Sequence, residues 1–156
     1  MPERPYTTSN DLHTLAIAAG EFMFANDEAS RSLGMRLLEV RPGFARLSMG
    51  IEERMLNGHR ICHGGLIFTL ADSAFAFACN SHNRVTVAAG AAIDFLAPAR
   101  LGDELTAIAE ERTRSTRTGL YDVSVYNQAG ALIAMFRGRS HELGGRLVER
   151  RDGQGD

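Results

Sequence analysis

The stretch Leu66–Cys79, LIFTLADSAFAFAC, is apolar on nearly every face of a helix and carries a single charge, Asp72. A helix of that kind is buried all round and not along one stripe. It is too short to cross a bilayer, which takes about 20 apolar residues. Something must therefore wrap it, and the remainder of the chain reads mainly as strands.

Before this run the apolar period is two. Met35–Val40 and Phe44–Glu52 read as strands about an Arg41-Pro42-Gly43 turn, with Ala45, Leu47, Met49 and Ile51 on one face. After it, Arg84–Leu96 alternates Val85, Val87, Ala89, Ala91, Ile93 and Phe95, and Pro98 stops it. Glu104–Thr113 is a further strand, and Leu120–Tyr126 with Ala131–Arg139 forms a hairpin about Asn127–Gly130. At the N-terminus, Leu12, Leu15, Ala16, Ala19 and Phe22 recur at helical spacing behind a cap at Asn10 or Asp11, and a short helix is expected over Asp27–Leu33. The fold class is α+β: one antiparallel sheet wrapped around one long central helix. Such a sheet leaves an edge and part of the helix uncovered, which a symmetric second copy would cover.

At 156 residues one compact domain is expected. All 17 basic residues are arginine, so mechanisms that need a lysine are excluded. With a net charge of −2 and scattered arginines there is no general hold on nucleic acid. Most of the arginines are read as base composition. The start, MPERPYTTSNDLH, lacks the basic and apolar regions of a signal peptide, so a soluble, cytoplasmic protein with no membrane association is expected. Cys62 and Cys79 lie about 25 Å apart if the chain between them is helical, too far for a disulfide, and are expected buried and reduced.

Asp72 is the chemical centre of the sequence. An unpaired carboxylate among Leu70, Ala71, Ala74 and Phe75 costs free energy. Either Ser73, Thr69 or a backbone amide satisfies it, or it is kept for nucleophilic or general-base work. His63-Gly64-Gly65 stands at the helix entrance, where unpaired N–H groups can hold a developing oxyanion; as a plain tight turn it would do the same for the fold alone. Gly64 and Asp72 lie about 12 Å apart along the helix and cannot reach one carbonyl together. Two such helices packed antiparallel would bring Gly64 of one copy to Asp72 of the other. His59 and His63 have a metal-like spacing but no second ligand pair, so no metal site is assigned.

Met55-Leu56-Asn57-Gly58-His59, Cys62-His63-Gly64-Gly65, Leu70-Ala71-Asp72, Phe75–Ser81, Ile93-Asp94-Phe95-Leu96 and Phe136–His141 together resemble the hotdog-fold acyl-CoA thioesterases, most closely those of phenylacetate degradation. The resemblance implies a hotdog domain over residues 26–145, with an N-terminal extension (1–25, containing a helix) and a mobile charged tail (146–156) outside it. It implies hydrolysis of an acyl-CoA, of the phenylacetyl type, with Asp72 as nucleophile or general base and the Gly64 amide of a second subunit on the carbonyl. Asn57 would position water or the thioester, with an ordinary residue of an Asn-Gly turn also open. His63 would support the helix entrance or touch the thioester, with a purely structural histidine equally open. Gly65, Gly90, Phe95, Arg139 and His141 would line the substrate. Neither metal nor organic cofactor is implied, coenzyme A being part of the substrate, and the assembly would be at least a homodimer and more fully a homotetramer. Some family members carry a hydroxyl residue one turn after the acid; Ala76 stands there in this chain. The alternatives are a module that binds acyl-CoA without turnover, a hydratase, whose Asp and His spacing is missing here, and a scaffold protein.

Overall fold

A computed structural model describes residues 8–149. The extreme N-terminus, and the end of the tail expected to be mobile, lie outside that range. The first helix, α1 (Ser9–Asn26), starts earlier than expected, and its cap is Thr8, not Asn10 or Asp11. Thr8 Oγ1 accepts from Asp11 N at 3.1 Å while Asp11 Oδ2 accepts from Thr8 N at 3.0 Å, a reciprocal capping box. The short helix α2 (Glu28–Ser32) follows, capped by Asp27.

The strands are β1 (Arg36–Arg41), β2 (Phe44–Gly50), β3 (Thr86–Phe95), β4 (Glu104–Arg114), β5 (Thr118–Tyr126) and β6 (Leu132–Glu142), and the long helix α3 spans Gly64–Asn80. All pairings are antiparallel and the sheet order is β1-β2-β4-β5-β6-β3. The sheet curls around α3. Ala45, Leu47, Met49 and Ile51 are buried as their alternation requires, joined by Leu105, Val123, Val125 and Phe136 from β4 to β6. Phe75 of α3 lies 5.5 Å from the Tyr121 ring and 5.9 Å from that of Phe136. These tilted ring contacts fix the helix on the sheet.

Two expectations fail for physical reasons. In α1 the buried face is Ala16, Ala19 and Gly20, while Leu12 and Phe22 are exposed. Small residues win because the helix lies close on β1: a Cβ at Gly20 would sit 2.8 Å from Val40 Cγ1. In β3 the alternation does not hold one face, because a bulge between Ala88 and Gly90 adds a residue. Val87 pairs with outward-facing His141, and Ile93 with inward-facing Phe136. The tail is tied further than expected: Asn83 Oδ1 accepts from Leu147 N and Val148 N, and Asn83 Nδ2 donates to Val148 O. Cys62 and Cys79 are free thiols. Among the described residues no helix is long and apolar enough to cross a membrane.

Candidate active site

The entrance to α3 is built by backbone bonds from both sides. Cys62 N donates to Ala99 O and His63 N to Met55 O, each at 2.8 Å. His63 is the N-cap, and its Nδ1 accepts from Gly65 N at 2.9 Å. The first amide of a helix has no acceptor within it, and Gly64 N meets none among the described residues. The cap thus consumes the Gly65 amide and leaves the Gly64 amide open. A Cβ at Gly64 would stand 3.0 Å from the Phe95 ring, which closes over this glycine from the end of β3 and is 53% exposed.

Asp72 lies two turns further along α3. The stripe Gly65, Thr69, Asp72 and Ala76 is the side of the helix that the sheet leaves incompletely covered. The hydroxyls that could have satisfied the carboxylate are used elsewhere: Thr69 Oγ1 donates to Gly65 O at 2.8 Å, and Ser73 Oγ shares a bond of 2.8 Å with Ser30 Oγ. Asp72 has no hydrogen bond or ion pair with any described residue. Burial, with nothing to offset it, raises its pKa above the ordinary 3.8. The same cause pushes the thiols of Cys62 and Cys79 up to about 11 and about 12, so neither is a thiolate at neutral pH.

The other candidates fall into separate groups. Asn57 organises its own loop, its Oδ1 accepting from His59 N at 2.9 Å and Ile61 N at 3.4 Å. Its amide nitrogen donates to no described residue. Gly90 and Arg139 are cross-strand partners, and the Arg139 guanidinium lies close over Gly90, so a side chain there would have to push it aside. Arg139 and His141 alternate with buried Gly138 and Ser140, so they project from the outer face of the sheet, away from α3. Within one chain, then, His63, Gly64, Gly65 and Phe95 come together; Asp72 stands apart along the helix, and Gly90, Arg139 and His141 lie across the sheet. Among the described residues no three His, Cys, Asp or Glu side chains are grouped to hold a metal ion.

Sequence reading gave no role to Asn80, Ser81 and Asn83. Asn80 Nδ2 donates to Thr86 O and Oδ1 accepts from Thr86 N, each at 2.9 Å. Ser81 Oγ donates to Ala78 O and accepts from Gly43 N. These side chains clamp the end of α3 to β3 and to the β1–β2 turn. Three short polar residues closing an apolar helix were the signal in the sequence.

Residues 59–134 match the thioesterase superfamily model. The chain is 46% identical over 126 residues to the acyl-coenzyme A thioesterase PaaI of Escherichia coli, covering 81% of this chain and 90% of that protein. The solved structure of E. coli PaaI, from the phenylacetic acid degradation operon, superposes with a TM-score of 0.85 at 44% identity, covering 86% of this chain and 98% of the other. A hypothetical thioesterase from Streptococcus pneumoniae solved with coenzyme A superposes with a TM-score of 0.69 at 25% identity, covering 72% of this chain and 90% of that one.

Proposed function

The chain belongs to the thioesterase superfamily, hotdog-fold hydrolases of thioesters, and from that membership we propose that it is an acyl-CoA thioesterase dependent on Asp72, working across a subunit interface. The observation that carries the reading is Asp72 itself: an unpartnered carboxylate on the open stripe of α3, its pKa raised by burial. A fold has no use for such a group, and a hydrolase does.

In the proposed reaction the Gly64 N–H binds the thioester carbonyl oxygen, and Asp72 of the other subunit acts on the carbonyl carbon. As general base it takes a proton from water, whose oxygen adds to the carbon. As nucleophile it adds directly, and water then opens the resulting anhydride. On either route the negative charge gathers on the carbonyl oxygen, held by the amide at the positive end of α3. The C–S bond then breaks, and coenzyme A leaves as a thiolate that takes up a proton. His63 serves by occupying the Gly65 amide, which leaves Gly64 as the donor, while Gly65 gives room for the acyl group. Asn57, with its Nδ2 uncommitted, donates to the thioester or to water, which matters more here because Ala76 supplies no hydroxyl. No metal or organic cofactor takes part.

The exposed ring of Phe95 beside Gly64 supports an aromatic acyl group, of the phenylacetyl type. Gly90, Arg139 and His141 would meet the coenzyme A portion, its phosphates suiting the guanidinium. The assembly is a homodimer joined at β3, paired further into a homotetramer, and a coenzyme A ester as substrate fits a cytoplasmic enzyme. The test is thiol release from a panel of acyl-CoAs by wild type, Asp72→Ala and Asp72→Asn. Turnover that peaks on aryl-acetyl esters and is lost in both variants is the expected result. Saturable binding without thiol release would make the chain a binding module, and variants that match wild type would remove Asp72 from the chemistry.

A further inference from the structure

Ser73 follows Asp72 in α3 and points about 100° away from it around the helix axis. It is buried on the side that faces the junction of α1 and α2. There the Phe77 ring lies 6.2 Å from that of Phe24, and Ser73 Oγ lies 2.8 Å from Ser30 Oγ.

The direction of the Ser73–Ser30 bond follows from its surroundings. Ser30 has one hydroxyl proton, and Asp27 Oδ2 takes it at 2.6 Å, since a carboxylate only accepts. Asp27 Oδ1 accepts from Ser30 N at 2.9 Å as well. Ser30 Oγ therefore accepts from Ser73, and the chain runs one way, from Ser73 to Ser30 to Asp27. Asp27 is both the C-cap of α1 and the N-cap of α2, so one carboxylate ties the two N-terminal helices to α3. Ser30 is 1% exposed, which shields the link from bulk water.

A hydroxyl inside a helix can instead bond the carbonyl one turn back. Thr69 does so, donating to Gly65 O at 2.8 Å, and Ser73 does not. Among the described residues, Ser73 is the one side chain between the His63 cap and Asn80 that hydrogen-bonds α3 to another element. The other buried side chains of this stretch are apolar, and their burial is non-directional. Rotation matters at Asp72. A helix with its side chains has a radius of about 5–6 Å, so a turn of about 10° carries the carboxylate about 1 Å. A misplacement of about 1 Å can cost about a hundredfold in rate.

We propose that Ser73 and Ser30 are positioning residues for Asp72: their bond, anchored on Asp27, fixes the rotation of α3 and so aims the carboxylate along the open stripe. The α1–α2 junction thereby becomes part of the catalytic apparatus without touching the substrate. This rests on the reading of Asp72 as the group that acts on the thioester.

Ser30→Ala and Ser73→Ala break the same bond from opposite sides, and the double variant removes both hydroxyls. Thermal melts establish that each is folded; if one fails to fold, the other carries the test. Thiol release should show kcat lowered about tenfold in each single variant with KM little changed, because the carboxylate acts in the transition state. The double variant should be no slower than the singles, since one bond is lost in all three. A carbon-13 titration of Asp72, assigned with Asp72→Asn, provides a readout that needs no turnover. In both single variants Asp72 should titrate closer to an ordinary aspartate than in wild type, because a loosened helix admits water to the carboxylate. Folded variants with wild-type kcat overturn the proposal, as does a double variant whose loss is the product of the single losses. Absence of thiol release from wild type would count against the thioesterase reading, and the titration then decides alone: an Asp72 that titrates identically in wild type and both variants overturns the positioning role.

Discussion

Asp72 carries opposite consequences for stability and for activity. Its folded pKa is raised by burial, so the folded chain holds that proton more tightly than the unfolded chain does. The cost to stability is present above the folded pKa and disappears below it. Asp72→Asn is therefore expected to melt no lower than wild type at neutral pH, and the difference should close as pH falls through the raised pKa, measured by thermal melts across pH. In the proposed reaction the ionised form is the working one, so kcat/KM should fall as pH drops, on an acid limb displaced upward from that of an ordinary aspartate. Asp72→Asn should lower kcat about a thousandfold. Arg139→Ala, at the outer face of β6, should raise KM more than it lowers kcat; an unchanged KM removes it from the substrate. Asp72 was legible in the sequence because a lone charge in an apolar helix is conspicuous. What the sequence could not supply was its degree of burial. The residue sits on the open stripe with no partner, because Thr69 and Ser73 turn their hydroxyls to Gly65 and Ser30.

At the scale of elements, the two ends of α3 have different tasks. His63 caps the N-terminus through Nδ1, so His63→Ala should cost about 1 kcal/mol of stability and lower kcat as well, because the Gly65 amide then competes for the carbonyl. His63→Asn should keep most of the stability, an asparagine oxygen being able to accept the same bond; chemical denaturation separates the two. At the other end, Asn80→Ala leaves both backbone groups of Thr86 without their partner and should cost about 2 kcal/mol. The sequence read α3 and β2 well: α3 is a long run apolar on nearly every face, and β2 alternates cleanly, so its buried face follows directly. It misread α1, where close approach to Val40 selects small residues over large ones, and β3, where a bulge reverses the faces midway. Neither a close approach nor a bulge leaves a mark in hydrophobic periodicity.

For the whole molecule the decisive facts are distance and an open edge. β3 ends the sheet, and Val87 and Phe95 are exposed along it. An unprotected edge with apolar side chains invites a second copy. Gly64 and Asp72 sit eight positions apart on one straight helix, so one chain alone cannot bring both to a single carbonyl. The proposed dimer rests on that spacing and on the uncovered sheet edge expected from the sequence, which the fold identifies with β3. The proposed division of labour between subunits can be measured by complementation. Gly64→Pro removes the open amide at the first helical position, where the backbone accepts proline and the exposed Phe95 ring must move aside for it, and Asp72→Asn removes the carboxylate. Each variant alone should be inactive. If the site is shared between subunits, unfolding and refolding equal amounts together should restore about a quarter of wild-type activity, because half the dimers are mixed and each mixed dimer has one intact site. No recovery from a mixture shown to contain mixed dimers would place both residues in the same subunit and contradict the interfacial mechanism.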